Sequence, residues 1–299
     1  MKKFFYSNEV EQALKDNKPV VALESTVITH GLPRPENLET ARAMEKAVRD
    51  ESAIPATICF LKGEIHAGLN NDELETLANS VKAIKVSRRD IAGAILKRLD
   101  GGTTVSGTMT IADMAGIKVF ATGGIGGVHR GNHMDISADL PTLSKIPVIV
   151  VCSGAKSILD LPGTMEYLET EGVPVIGYQT DELPAFYSTT SGLKVDFRFD
   201  KPKEIAEFAK IHWGMGLSSA ILVTVPPPAD SSLPADYMEE IINLAISEAG
   251  DRQITGAATT PFLLDRISKQ TGQRSLKSNV DLLVNNAHIA GQIAVEFHR

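Results

Sequence analysis

The sequence predicts an α/β fold: a three-layer α/β/α sandwich with a mostly parallel central sheet and a helical C-terminal region. Three observations lead there. Short, β-branched apolar runs recur at 19–23, 56–61, 83–87, 117–121, 146–152, 173–178 and 220–225, each with the length and character of a buried strand. Between them lie segments with apolar residues at helical spacing, such as Ala41, Met44, Ala47 and Val48. Beyond the last run only helical stripes remain: Met238, Ile241, Ile242 and Ala245, then Val280, Leu283, Val284 and Ala287. Strand and helix in alternation is the pattern of a parallel sheet. No repeat, low-complexity segment or linker interrupts it, so residues 1–299 are expected to form a single domain.

Taken in order, a short helix over 9–17 leads to the first strand, which ends at Glu24. The loop 25–37 carries His30, Gly31, two prolines and Arg34, and is long and irregular for a simple connection. After the helix around 41–48 and the strand 56–61, Lys62-Gly63-Glu64 turns the chain into an extended Ile65-His66-Ala67. A helix over 71–79 precedes the strand 83–87, which ends in Ser87-Arg88-Arg89-Asp90, and another helix covers 90–98. The small residues of 101–108 are expected to start a helix, where hydroxyls at the N-terminus suit an anion. Strand 117–121 opens into a glycine-rich loop, a helix starts near Ser137, and strand 146–152 ends in Ser153-Gly154-Ala155-Lys156. Helices at 164–171 and 202–213 bracket strand 173–178 and an excursion over 181–200 with a strand near 195–199. Pro226-Pro227-Pro228 stops the last strand, and Thr260-Pro261 is a good N-cap and N1 pair.

A hydrophobic content of 43% suits a protein with a sizeable core, and a net charge of −7 argues against a nucleic-acid surface. No run approaches the ~20 apolar residues of a membrane span. The start, Met1-Lys2-Lys3-Phe4-Phe5-Tyr6, is cut off by Ser7-Asn8-Glu9 too early to read as a signal peptide. Cys59 and Cys152 fall in expected strands without metal-ligand spacing and read as core residues in a reducing compartment. The expected location is cytoplasmic.

Chemistry concentrates at the expected strand ends, where ligands of parallel sheets collect. In the loop 122–128, four glycines invite a dinucleotide reading, but the third glycine of G-x-G-x-x-G is replaced by His129, and Arg130-Gly131-Asn132 delays the helix. The glycines either free backbone N–H groups for an anion or serve a tight turn with positive φ. Asp135, Ser137 and Asp139 lie within five residues, where they suit a hard divalent cation or a helix cap. Lys156, just past an apolar strand, is either a surface lysine or an amine desolvated enough to attack a sugar aldehyde. Glu24 reads as a general acid/base or as a partner of Arg34, and Lys85, Arg88 and Arg89 as phosphate ligands or exposed charges. An acid, a basic cluster and an amine at three strand ends point to a site for a phosphorylated small molecule.

Seven segments carry a resemblance over nearly the whole chain: VALESTVITHGLPRPEN from Val21, KVSRRD from Lys85, GIKVFATGGIGGVHRG from Gly116, DISADL from Asp135, CSGAKSILDLPGTMEYLET from Cys152, TPFLL from Thr260 and LKSN from Leu276. The chain resembles the pseudouridine-5′-phosphate glycosidases, a family that includes the IndA-type proteins of indigoidine clusters. The resemblance implies reversible cleavage of pseudouridine 5′-phosphate into uracil and ribose 5-phosphate, on an α/β/α sandwich that assembles as a homotrimer. It implies Lys156 as covalent nucleophile, Glu24 as proton donor and Asp135 as ligand of Mn2+ or another hard divalent cation. It also implies substrate contacts from Lys85, the backbone at Val105, Ser137, Ala138, Asp139 and Asn279. Ser106-Gly107 departs from the Ala-Ser expected of the family at that contact. His129 and Arg130 are further candidates for the phosphate.

The chemistry agrees. Pseudouridine joins ribose to uracil through carbon, so the two-carboxylate route of ordinary glycosidases has no leaving heteroatom to protonate. Opening the ribose ring and forming an iminium at C1′ supplies an electron sink, which is a task for a lysine. A class I aldolase-like enzyme acting on a sugar phosphate, or a non-catalytic sugar-phosphate sensor, would use the same residues.

Overall fold

Every residue of Val20–Leu23, Val119–Ala121, Ile149–Cys152, Val175–Tyr178 and Ile221–Thr224 is buried, as befits parallel strands covered on both faces. The structure, a computed structural model, describes residues 4–254 and 259–299, with Asn132, His133 and Pro261 described by their backbone alone.

The chain runs β1 (Phe4–Tyr6), α1 (Asn8–Lys15), β2 (Val20–Leu23), a π-helical turn (Val27–Gly31) and α2 (Glu36–Asp50). Then come β3 (Ile54–Leu61), β4 (Glu64–Ala67), α3 (Asn71–Asn79), β5 (Ile84–Val86), α4 (Ile91–Leu96) and β6 (Gly101–Thr103). The middle is α5 (Val105–Ala115), β7 (Val119–Ala121), β8 (Val128–His129), β9 (Asn132–Ile136), α6 (Asp139–Leu143), β10 (Ile149–Cys152) and β11 (Leu159–Asp160). The rest is α7 (Leu161–Thr170), β12 (Val175–Tyr178), β13 (Phe197–Phe199), α8 (Pro202–Gly214), β14 (Ile221–Thr224), α9 (Ala235–Asp251), α10 (Thr259–Gln270) and α11 (Arg274–Phe297).

The main sheet has the order β1-β4-β3-β2-β7-β10-β14-β12-β13, with β6 also on β3 and β5 on β6. From the first half of β3 through β13 all pairings are parallel, and the antiparallel contacts are made by the far half of β3 with β4 and β6. Helix α5 packs on β2, β3 and β7, while α11 packs on β2, β7 and β10 beside α2 and α8. The expected α/β fold with a mostly parallel sheet and a helical C-terminal region is what the chain adopts. No helix among the described residues is long and apolar enough to cross a membrane.

Several boundaries differ from the sequence reading for local reasons. The apolar runs at 117–121 and 146–152 yield only β7 and β10. Ile117 still donates its N–H back to Ala112 of α5, and Pro147 has no N–H for a ladder. The helix expected near Ser137 begins at Asp139, because 132–136 pairs antiparallel with β8 and β11 completes a small separate sheet. The 101–108 stretch first forms β6 and then α5, with Thr104 as N-cap accepting from the Gly107 N–H. The loop 25–37 holds the π-helical turn, and Asn37 at its end donates to the Ile28 and Ala78 carbonyls. Helix α10 starts at Thr259, so Thr260 lies inside its first turn rather than capping it. Cys59 and Cys152 are fully buried free thiols. Burial pushes the Cys152 thiol up to about 12 and Cys59 higher still, which fits inert core residues.

Candidate active site

Strands β2, β7 and β10 lie side by side and parallel, so their C-terminal ends present Glu24, the glycine loop and the segment 153–156 together. Past the strands, the ladder continues without side-chain help. Ser153 N–H donates to Gly123 O (2.8 Å), Ile125 N–H to Gly154 O (3.1 Å) and Lys156 N–H to Ile125 O (3.1 Å). Lys156 therefore stands on a short extension of the sheet rather than at the start of a surface helix. Gly154 is required there, since its φ is +84° and a Cβ would run into the Pro184 carbonyl.

These ends floor a cavity of about 470 Å3 lined by Glu24, Lys85, Val105, His129, Asp135, Ser137, Ala138, Asp139, Lys156 and Asn279, among others. Of the residues the resemblance implies, together with His129 and Arg130, all but Arg130 line it. Glu24 is 8% exposed, and burial pushes its carboxyl up to about 7. The Lys156 and Lys85 charges pull it down and the Asp139 charge pushes it up. A carboxyl titrating near neutrality inside a cavity can both give and take a proton there. Lys85, half-buried on β5, is held below the usual lysine range by burial and then by the Lys156 charge, with Glu24 acting against them. Arg34 does not partner Glu24; its Nε donates to the Ala78 carbonyl, 3.0 Å away. Arg89 lines the cavity and Arg88 does not.

Asp139 and Asp135 part company. Asp139 is 5% exposed, and its two oxygens accept from the backbone N–H groups of Ser106 (2.9 Å) and Gly126 (2.8 Å). It ties the first turn of α5, where Val105 stands, to the glycine loop. Asp135 sits on β9 with its carboxylate 3.8 Å from His129 Nδ1 and half in solvent. Among the described residues no three His, Cys, Asp or Glu side chains group as a metal cage. One carboxylate with one imidazole at a wet cavity wall still fits a hard divalent cation that keeps several waters.

The glycine loop is not the tight positive-φ turn its sequence suggests, and three of its glycines, Gly123, Gly124 and Gly126, line the cavity. None of its four glycines has positive φ. They are small because neighbours come close: a Cβ on Gly126 would strike Ser137 Oγ. The Gly126 N–H goes to Asp139, so that amide is committed within the protein.

Arg130 corrects the phosphate assignment. It is not among the residues lining the cavity, and its guanidinium grips both oxygens of Glu239 on α9 (2.6 and 2.9 Å) and the carbonyls of Ser157 and Leu159 (3.0 and 3.1 Å). Its donors are spent on fastening β8 and β11 to α9.

Sequence reasoning missed Asn286, a fully buried residue of α11. Its Nδ2 donates to the Thr122 carbonyl (2.9 Å), and its amide lies 3.2–3.3 Å from the Ser153 hydroxyl, which clamps the ends of β7 and β10. The available signal was a polar residue within the apolar stripe that includes Leu282, Leu283 and Ala287. Phe186 was missed as well; it reaches the cavity from the 181–200 excursion, where its N–H donates to Ser153 O.

A mostly parallel sheet that brings an amine, a near-neutral carboxyl and a second lysine into one cavity is the framework of an α/β enzyme acting on a small molecule. The profile of the Indigoidine synthase A like protein family matches residues 9–296, and the chain belongs to that family. A relative from Geobacillus kaustophilus (strain HTA426), named pseudouridine-5′-phosphate glycosidase, is 53% identical over 293 residues, 97% of each chain. One of the same name from Staphylococcus aureus (strain MW2) is 50% identical over 296 residues, 98% of this chain and 96% of that one. Among solved structures, the prealnumycin C-glycosynthase AlnA in complex with ribulose 5-phosphate superimposes with a TM-score of 0.92 at 39% identity, covering 100% of this chain and 98% of that one. An indigoidine synthase A (IdgA)-like protein from Thermotoga maritima gives 0.91 at 36% identity, covering 99% and 97%.

Proposed function

We propose that this protein is a pseudouridine-5′-phosphate glycosidase that cleaves the C–C glycosidic bond reversibly through an imine on Lys156. The observation that carries the reading is the convergence of Glu24 and Lys156, from strand ends on either side of β7, on one cavity whose walls include Lys85. The names of relatives about half identical over nearly the whole chain support the same substrate.

Glu24 protonates the ribose ring oxygen as the ring opens, and the Lys156 amine bonds to C1′. Glu24, now a carboxylate, takes the proton that the lysine nitrogen loses on bonding and passes it to uracil C5. The nitrogen lone pair moves in to form the C1′ iminium as the C1′–C5 bond breaks, and that bond's electrons stay with the uracil. Water hydrolyses the iminium, freeing ribose 5-phosphate and Lys156. Lys85 and the first turn of α5 at Val105 hold the phosphate, with Ser137, Ala138 and Asn279 against the remaining substrate. Asp135, with His129, would hold Mn2+ or another hard divalent cation, which would supply fixed positive charge beside the substrate's oxygens. Assembly as a cytoplasmic homotrimer belongs to the same proposal, and light scattering behind a sizing column checks the trimer.

Borohydride reduction in the presence of ribose 5-phosphate, followed by peptide mass spectrometry, tests the mechanism. A stable adduct on Lys156 is expected, together with synthesis of pseudouridine 5′-phosphate from uracil and ribose 5-phosphate. An adduct without that synthesis would favour an aldolase-like enzyme. Saturable binding without an adduct would favour a sensor, and an adduct on another lysine would overturn the assignment.

A further inference from the structure

Glu24 has a neighbour to which the proposed reaction gives no role. In the parallel ladder between β2 and β7, Leu23 pairs with Ala121, so the next residues along, Glu24 and Thr122, stand opposite each other. Residues paired in this way point to the same face of a sheet. Thr122 is fully buried, and among the described residues its hydroxyl has no partner at hydrogen-bond geometry. An orphan hydroxyl in a dry interior is costly, and a native protein that keeps one has a use for it. Its direction is not free to wander. The Thr122 N–H is spent on Val151 O (3.0 Å), its carbonyl is held by Asn286 Nδ2 (2.9 Å), and a β-branched side chain on a fixed backbone has few rotamers. Thr122 does not line the cavity, so it acts from behind Glu24 and not on a substrate.

We infer that Thr122 is a positioning residue for Glu24: its hydroxyl donates a hydrogen bond to the Glu24 carboxylate whenever that group has given up its proton, and so aims and stabilises the ionised form between proton transfers. The charged groups around Glu24 are Lys156 and Lys85, which favour that form, and Asp139, which opposes it. Thr122 is the uncharged member of the set, and its hydroxyl favours the carboxylate in the same sense as the lysines. Without it, the burial that holds Glu24 protonated would be offset by the two lysines alone. The inference deepens the acid–base part of the proposed reaction and rests on that reading only for its purpose, since the titration itself needs no substrate.

The test is carbon NMR of the intact protein labelled at glutamate Cδ, with the Glu24 signal assigned by its loss in Glu24→Gln. Thr122→Val keeps the shape and removes the donor, and the Glu24 titration midpoint is expected to rise by roughly one pH unit. Thr122→Ser restores the donor and is expected to bring the midpoint back. A structural hydrogen bond would cost stability at every pH; here thermal unfolding of Thr122→Val at about pH 5, where Glu24 keeps its proton, is expected to match or exceed wild type, because an unpartnered hydroxyl has been taken out of the core. A midpoint unchanged in Thr122→Val overturns the inference, and so does an equal shift in Val and Ser, which would assign the effect to packing. Should Thr122→Val fold poorly, Thr122→Ala also lacks the donor, and its midpoint decides the question in the same way. Because the readout is a proton on Glu24 in the substrate-free protein, failure here and failure of the glycosidase reading are separate results.

Discussion

Replacing Asn286 with leucine keeps the branched side-chain shape and removes the amide that joins α11 to the ends of β7 and β10. Two groups lose partners: the Thr122 carbonyl at 2.9 Å and the Ser153 hydroxyl at 3.2 Å, both at fully buried residues. A buried group left unsatisfied costs about 1–3 kcal/mol, so with two such groups Asn286→Leu is expected to lose about 2–6 kcal/mol of stability. Urea unfolding reads this as a lower midpoint at an unchanged slope. The consequence for chemistry follows from position, because Ser153 is three residues before Lys156 on the same short ladder. Displacement of a reacting amine by about 1 Å costs on the order of a hundredfold, so borohydride trapping of ribose 5-phosphate in still-folded protein is expected to slow ten- to hundredfold. Stability within about 0.5 kcal/mol of wild type, an ordinary surface effect, would refute the clamp. A destabilised variant that traps at the wild-type rate would refute its link to Lys156.

Three further perturbations separate the roles assigned above. Glu24, raised from 4.5 to about 7, holds its proton more tightly folded than unfolded. Stability is therefore expected to fall as pH rises from about 4.5 to 7, by at most about 3 kcal/mol, and Glu24→Gln is expected to flatten the profile, matching wild type near pH 4 and exceeding it at pH 8 in thermal unfolding. Arg130→Ala is expected to lower the unfolding temperature through loss of its grip on Glu239 and two carbonyls, while KM for ribose 5-phosphate in the synthetic direction stays put; a large rise in KM would return Arg130 to the phosphate. Asp135→Asn is expected to leave stability unchanged, since the side chain is half in solvent, and to weaken Mn2+ binding in calorimetry at least tenfold, with EDTA-stripped wild type losing activity that Mn2+ restores.

Residue patterns were most informative where burial is uniform. Strands covered on both faces advertise themselves as apolar runs, and the ends of those runs at β2 and β10 mark Glu24 and Lys156 as groups just past strand ends, whereas Lys85 lies within the half-buried β5. Contacts made at long range leave no such mark. Arg130 sits beside four glycines in sequence and turns to Glu239, more than a hundred residues on, because its neighbours are the antiparallel β8 and β9 rather than a helix N-terminus. Asp135 and Asp139 look like a pair within five residues, yet one lies on a strand at the cavity wall and the other is buried across two backbone amides. Asn286 was invisible as chemistry because its partners lie more than 130 residues upstream.

The placement of that amide on α11 has a bearing on how the protein comes to life in a cell. Synthesis is vectorial, and a domain's early segments emerge seconds before its late ones. Strands β2, β7 and β10 are all made before the final helix, so a nascent chain already holds Glu24 and Lys156 yet lacks both the Asn286 clamp and the Asn279 wall. The cavity floored by Glu24 and Lys156 therefore closes only when α11 docks onto the strand ends already in place.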